Sequence, residues 1–304
     1  MVAMPGEDFA NRLRHDPTTL AWYLGDDTSR HQSPEELIDY NDAVKAFDPN
    51  HPTAQADGLH MERPVDNYCA YVEGTDIFIP EIYPIHTAST NSDPNCVAIV
   101  ISNMIRCRAD AAKFGKGKVK AIMPVLQHFK GWGNWPRFPN PDEAMAMAFA
   151  AVVQGAGGVL WYTYGGTGRN QGVTSTPERW AATTNMATRL KEISPALLSS
   201  TIAISLPEIV GGPVKDTCGN PSLSVLAKRY GGAVWIIAVN SCYDRVDARI
   251  TAPEGEEDAE VLWENRKVQV RDGRFDDSFA PFAVHVYRFP SRARGQEPEE
   301  CSHE

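Results

Sequence analysis

The first two-thirds of the chain alternate short apolar runs with stretches of helical spacing. Apolar runs typical of buried strands, with a weaker one at 52–57, cover residues 20–24 (LAWYL), 76–83 (DIFIPEIY), 119–129 (VKAIMPVLQHF) and 159–164 (VLWYTY). Ser33, Pro34 and Glu36 form a capping-box pattern that opens a helix through Phe47. Further helices are predicted over 96–114, from Pro141 to Gly155, and over 177–193. Strands separated by helices predict βα units and a parallel sheet.

From about Ser200 the pattern changes to short alternating strands separated by Gly and Asp turns. The predicted strands are 201–205, 222–228, 233–239, 245–250, 260–263, 268–270 and 283–289. This spacing predicts a small antiparallel β-sandwich. We therefore expect a parallel α/β domain over 1–199, a sandwich over 200–292 and a disordered tail over 293–304.

The number of βα units limits the choice of fold. Residues 20–193 hold five such units, whereas a closed eight-unit barrel takes about 250 residues. An open five-stranded parallel sheet is the alternative, but no strand is followed by the glycine pattern of dinucleotide-binding folds. Gly165, Gly166 and Gly168 follow a strand without the Lys-Ser/Thr of a P-loop, so nucleotide binding is a weak alternative.

Composition and charge narrow the function classes. The formal charge is −10, and an acidic surface repels phosphate backbones and anionic lipids, so we expect neither nucleic-acid nor membrane partners. Six scattered cysteines without a CxxC pair, and no HExxH, predict no disulfide framework, no metal and no cofactor. The first 14 residues have no apolar segment typical of a signal peptide, which predicts a cytoplasmic protein, or an exported one if the true start lies upstream.

Four segments carry a resemblance to a known group of enzymes. WYLGDD (22–27) followed by SPEEL (33–37) resembles the fourth strand and helix of (β/α)8-barrel glycoside hydrolases, in which an acidic residue closes the strand. IYPI (82–85), PVLQ (124–127) and GAGG (155–158) are similar to their sixth, seventh and eighth strand regions, in order. The C-terminal strands resemble the sandwich that often follows such barrels. The resemblance implies a partial TIM-type barrel of about five βα units, strands four to eight, with a trailing β-sandwich.

The resemblance also suggests catalytic residues, with two departures. Asp27 stands at the position of the fourth-strand acid, and Gln127 stands where many of these enzymes have a nucleophilic Glu. Glu81, near the end of the sixth-strand segment in an apolar setting, is the candidate second carboxylate and general acid, with Asp27 as its ionised partner. Alternatively, Asp26 and Asp27 cap the following turn, and Glu81 forms a salt bridge.

Aromatic side chains suggest the ligand. Trp132 and Trp135 lie in a glycine-flanked loop after the seventh-strand segment, where flat rings can stack on sugars, whereas alternation allows Trp161 to face either the sugar or the core. The predicted substrate-binding set is Asp26, Tyr83, His86, Gln127, Trp132, Trp135, Trp161 and Tyr164.

The sequence therefore predicts an O-glycosyl hydrolase that acts on an oligo- or polysaccharide. The alternative is a non-catalytic carbohydrate-binding remnant, or a truncated inactive product, because Gln127 cannot attack a sugar. A half barrel also leaves two edge strands unpaired, so a second copy of the chain is a candidate for completing it.

Overall fold

The computed structural model describes residues 7–58, 71–87, 96–114, 121–166 and 168–290. The chain folds into two compact units, Met1–Thr183 and Thr184–Glu304, and the division falls inside a helix that precedes the predicted boundary at 199. The predicted tail, 293–304, lies outside the described residues.

The first unit alternates strands and helices as the pattern predicts. Its strands are β1 (Trp22–Gly25), β2 (Thr53–Gly58), β3 (Ile77–Ile82), β4 (Ala121–Ile122), β5 (Val125–Gln127) and β6 (Leu160–Tyr162). Its helices are α1 (Glu7–Leu13), α2 (Pro34–Phe47), α3 (Cys96–Phe114) and α4 (Pro141–Val153), and α5 (Pro177–Leu197) runs into the second unit. Short 3₁₀ turns cover Thr28–Arg30, Val72–Gly74 and Val173–Ser175.

The strands of the first unit form one parallel sheet in the order β1-β2-β3-β5-β6, with β4 paired to β3. Each strand thus lies beside the next one along the chain, as in a barrel, whereas a doubly wound sheet reverses its order. Pro124, which lacks an N–H, separates β4 from β5 within the single strand predicted over 119–129. We call this sheet with its helices the half barrel.

Caps and apolar packing set the helices of the half barrel. Ser33 caps α2 in the predicted capping box, and Asn140 caps α4 in a second one. Leu24 on β1 packs with Leu37 and Val44 of α2. No helix among the described residues has the length and apolar character needed to span a membrane.

The alternation along β2 separates two environments. All six residues of this strand are buried. Ala54 and Ala56 pack with Ile77 and Ile79 of β3, whereas Gln55 and Asp57 point to the opposite face. Gln55 and Asp57 are thus buried polar residues on a central strand, and apolar packing alone does not explain them.

The second unit is an antiparallel β-sandwich. Its strands are β7 (Ser200–Ile202), β8 (Glu208–Gly211), β9 (Leu223–Tyr230), β10 (Ala233–Asn240), β11 (Val246–Thr251), β12 (Asp258–Val261), β13 (Arg266–Gln269), β14 (Arg274–Phe279) and β15 (Val284–Phe289). One sheet has the order β13-β12-β15-β10-β9-β7 and the other β14-β11-β8. Apolar residues from both sheets, among them Ile236, Ile250, Phe275 and Phe289, form one core between them.

Candidate active site

Four carboxyl groups lie at the carboxyl-terminal edge of the half barrel. Asp26 and Asp27 directly follow β1, Asp57 is the penultimate residue of β2, and Glu81 is the penultimate residue of β3. Because the strands are parallel, these ends meet at one edge of the sheet. The side chain of Glu81 is in hydrogen-bonding contact with Asp26, and the charges of Asp27 and Asp57 act on it.

Glu81 is held in its protonated form at neutral pH. Burial raises the pKa of Glu81 to about 8, with further contributions from the negative charges of Asp26 and Asp27. Tyr83 also bonds to Glu81, and burial, followed by that neighbouring charge, raises the pKa of its phenol. A carboxylic acid kept protonated beside other carboxylates is the arrangement that general acid catalysis requires.

The two adjacent aspartates differ in their contacts. The Tyr23 hydroxyl donates a hydrogen bond to Asp26 Oδ1 (3.0 Å). Asp27 has a left-handed backbone (φ 47°), and its carboxylate forms a salt bridge with Arg30 (3.0 Å). Asp27 is thus paired with Arg30, whereas Asp26 is the neighbour that touches Glu81.

Asp57 was not among the predicted site residues. It is fully buried and accepts hydrogen bonds from Ser29 N and Ser29 Oγ, both 2.8 Å, and from Thr28 Oγ1 at 3.3 Å. Burial raises the pKa of Asp57, and the bonds from Ser29 and Thr28 oppose this shift. Its position at the end of the predicted strand 52–57 was the available indication, the same one that identifies Glu81.

An aromatic cluster on the side of β5 and β6 is joined to Glu81 through Tyr83. Tyr83 lies 5.1 Å from Phe129, 5.9 Å from Tyr162 and 6.1 Å from Trp135 between ring centroids. Trp132 packs against Phe129 and Tyr162, at 5.2 and 6.0 Å, and 39% of its surface is exposed. The cluster therefore presents aromatic surface beside the carboxyl groups. Three of its five members, Tyr83, Trp132 and Trp135, are predicted binding residues.

Comparison with solved structures identifies the fold. The α-amylase of Geobacillus thermoleovorans, solved with acarbose, is 12% identical with a TM-score of 0.56, over 94% of this chain and 63% of that one. An α-L-arabinofuranosidase of Thermotoga petrophila is 14% identical (TM-score 0.54, 94% and 70% covered), and an endoxylanase of Clostridium papyrosolvens 12% (0.50, 93% and 70%). The fold is a partial (β/α)8 barrel of the kind that these enzymes contain.

This resemblance is structural and partial. No protein-family model and no curated protein sequence matches the chain. The chain spans less than two thirds of the length of the amylase. The β-sandwich that follows the half barrel agrees with the predicted architecture, strands four to eight of a glycosidase barrel with a trailing sandwich.

Of the other residues predicted to bind substrate, His86 borders the aromatic cluster, whereas Tyr164 and Trp161 have other surroundings. His86 is half-buried against Trp135, with 5.1 Å between the rings, and so borders the aromatic cluster. Tyr164 is 70% exposed and packs on Trp180 (6.1 Å). Trp161 pairs in register with the buried Leu126, which indicates that it faces the core side of the sheet.

The side-chain amide of Gln127 is bound by backbone groups of the protein. It is fully buried, its Oε1 accepts a hydrogen bond from Ile85 N (2.8 Å), and its Nε2 donates to Phe129 O (3.2 Å). The amide thus joins the segment after β3 to the segment after β5 and presents no surface to a ligand. Its predicted contact with a sugar remains a prediction that this geometry does not favour.

The acidic edge is not arranged as a metal site. Over the described part of the chain, no group of three or more His, Cys, Asp and Glu side chains has the geometry to hold a metal ion.

Proposed function

We propose that the chain is a glycoside hydrolase that acts on an oligo- or polysaccharide at the edge of the half barrel. The observation that carries this proposal is Glu81, a carboxyl group protonated at neutral pH, beside ionisable carboxylates and an exposed aromatic surface. A protonated acid, an ionised partner and a surface for sugar rings are the parts that glycoside cleavage needs.

The contacts suggest a role for each carboxyl group. Glu81 donates its proton to the oxygen of the leaving sugar. Asp27, which is in salt-bridge contact with Arg30, either attacks the sugar or activates water. The two carboxyl groups must stand about 5–5.5 Å apart for the first role and about 6.5–9.5 Å apart for the second. Asp26 touches Glu81 directly and is therefore too close for either role, so we assign it to holding the proton of Glu81.

The aromatic cluster supports a carbohydrate ligand. The exposed rings of Trp132, Tyr162 (43% exposed) and Tyr23 (51% exposed) offer flat surfaces for the C–H faces of sugars. Neighbouring carboxylates provide acceptors for sugar hydroxyls. Arg30 is the cation in salt-bridge contact with this group, and the excess of negative charge favours uncharged sugars over acidic ones.

The test is hydrolysis of a panel of glycosides by the parent chain and by Glu81→Gln and Asp27→Asn. We expect each substitution to lower kcat by about 10²- to 10⁴-fold. Parent activity should fall as the pH rises through about 8, because Glu81 then loses the proton it must donate. Glu35→Gln, an exposed position on α2, is the matched control and should retain parent activity. Full activity of Glu81→Gln would contradict the proposal.

The second candidate is a carbohydrate-binding protein without catalysis. It is favoured by Gln127, which occupies the position where many such barrels have a nucleophilic Glu and uses its amide in backbone hydrogen bonds. Binding of oligosaccharides by calorimetry, with no turnover by the parent chain on the whole panel, would support this candidate and reject the hydrolase.

A further inference from the structure

The turn that follows Asp26 and Asp27 is held by hydrogen bonds to the buried carboxylate of Asp57. Residues Thr28–Arg30 form the 3₁₀ turn directly after these aspartates. Asp57 accepts two hydrogen bonds from Ser29, through the backbone N and the hydroxyl, and one from Thr28. Thr28 Oγ1 also lies within hydrogen-bonding distance of Gln55 Oε1, on the same face of β2, so that its one proton is shared between the two acceptors. Two residues of one central strand therefore fix the first residues of the turn.

The position of this turn determines the surroundings of Glu81. Asp26 lies two residues before Thr28 and is in hydrogen-bonding contact with Glu81. Asp27, between them, has a left-handed backbone, so the direction of both carboxylates depends on how the turn is held. Arg30 closes the turn through its salt bridge with Asp27.

We propose that Asp57 is a positioning residue, which fixes the Thr28–Arg30 turn so that Asp26 and Asp27 face Glu81 and which adds a buried negative charge beside them. This role rests on the proposed function only for its catalytic consequence. Asp26 and Tyr83 are in hydrogen-bonding contact with Glu81, and the charges of Asp27 and Asp57 also act on it. Tyr23 bonds to Asp26, and Arg30 bonds to Asp27.

The negative charge of Asp57 and its hydrogen bonds to the turn can be tested by different substitutions. Asp57→Asn keeps the size of the side chain and an oxygen acceptor but removes the negative charge. Because that charge raises the pKa of Glu81, its removal should lower this pKa. Ser29→Ala keeps the charge and removes one of the bonds that hold the turn. Asp48→Asn is the matched control, because Asp48 is a buried aspartate that bonds to Trp22 Nε1 (2.9 Å) and lies before β2, at the opposite end of the sheet.

The experiment follows the titration of Glu81 by NMR of ¹³C-labelled glutamate carboxyls, with the signal assigned through Glu81→Gln. The parent midpoint is expected at about 8. Asp57→Asn should lower it by roughly 0.5 to 1 unit, less than a directly paired charge would shift it, and Ser29→Ala by a smaller amount. Asp48→Asn should lower the melting temperature and leave the midpoint unchanged.

A folded Asp57→Asn variant with the parent midpoint would overturn the proposal. If that variant does not fold, Ser29→Ala decides, and an unchanged midpoint there overturns the positioning role as well. The titration needs no turnover: a parent inactive on every glycoside, with the midpoint shifted in Asp57→Asn, would reject the hydrolase and support the role of Asp57. In an active parent, the alkaline limb of the pH profile should move down by the same amount in Asp57→Asn.

Discussion

At the residue scale, Gln127 shows how a side chain that the sequence predicts as substrate-binding can hold the backbone together instead. Its Oε1 accepts from Ile85 N, and its Nε2 is within hydrogen-bonding distance of the carbonyl oxygens of Ile85, Phe129 and Arg137 (3.2–3.5 Å). An amide has donors for these carbonyls, whereas a carboxylate has none. The segments after β3 and β5, which carry His86 and the tryptophan loop, are joined through this one side chain.

We therefore predict that Gln127→Glu does not create a nucleophile. One oxygen of the buried carboxylate would keep the Ile85 N–H, but the other would face carbonyl oxygens. We therefore expect a loss of roughly 2 to 4 kcal/mol in the free energy of unfolding, measured by urea denaturation. Gln269→Glu, on the exposed face of β13, is the matched control and should stay within about 0.5 kcal/mol of the parent. Increased hydrolysis by Gln127→Glu would show instead that this side chain meets the substrate.

The acidic residues of the site were predictable only in part. Asp26 and Asp27 follow from the resemblance carried by WYLGDD, and Glu81 follows from its place near a strand end, where barrel active sites assemble. Which of the two aspartates touches Glu81 depends on the register shift between Tyr23 and Gly25 and on the left-handed backbone of Asp27, which a linear pattern does not encode. Asp57 also stands at the end of a strand, but that strand is short and made of small and polar residues, so the sequence pattern predicts it only weakly.

At the element scale, helix bounds were predictable where local chemistry sets them. The capping box of α2 and the apolar spacing of α3 predict Pro34–Phe47 and Cys96–Phe114, as found. In the sandwich, β8 and β14 were not predicted. The sequence of β14, RFDDSF, has two aspartates at its centre, which strands usually avoid. The second of them, Asp277, is stabilised by partners on other strands, which the local sequence pattern does not show.

One of these aspartates, Asp277, has a largely buried side chain and joins the two sheets of the sandwich. It accepts hydrogen bonds from Tyr287 OH (2.6 Å) and from Arg266 (2.8 and 3.1 Å), and His285 Nδ1 lies 3.0 Å from it. Burial alone would raise the pKa of Asp277, but the bonds from His285, Arg266 and Tyr287 hold it well below its ordinary value. β13 and β15 belong to one sheet and β14 to the other, so this carboxylate links them.

We predict that Asp277→Asn lowers the free energy of unfolding by about 2 kcal/mol at neutral pH, because Arg266, His285 and Tyr287 lose the charged acceptor that they share. Since the depressed pKa stabilises the fold only while Asp277 is ionised, the difference from the parent should shrink as the pH falls below about 4. The neighbouring Asp276, exposed and paired with Arg249 at 2.8 Å, provides the control: Asp276→Asn should cost less than about 1 kcal/mol. Equal losses in the two variants would refute the linking role.

At the scale of the whole molecule, the half barrel has two open edges. Among the described residues, β1 pairs only with β2 and β6 only with β5. Leu20, just before β1, is 71% exposed, and Leu160 on β6 is more than a third exposed. In a closed barrel such edges pair with further strands, and an unpaired parallel edge with exposed apolar side chains is a template for association.

We therefore predict that this chain associates with itself through these edges, so that a second copy covers the apolar surface. Light scattering coupled to size-exclusion chromatography should show a mass that rises with concentration. Leu160→Lys should shift the equilibrium to the monomer, because a charge on an edge strand opposes further pairing. Leu206→Lys, at a leucine in the sandwich unit that is even more exposed (72%), should leave it unchanged. A parent that stays monomeric at every concentration would mean that the open edges alone do not drive association, and equal effects of both lysines would assign any association to general apolar contact.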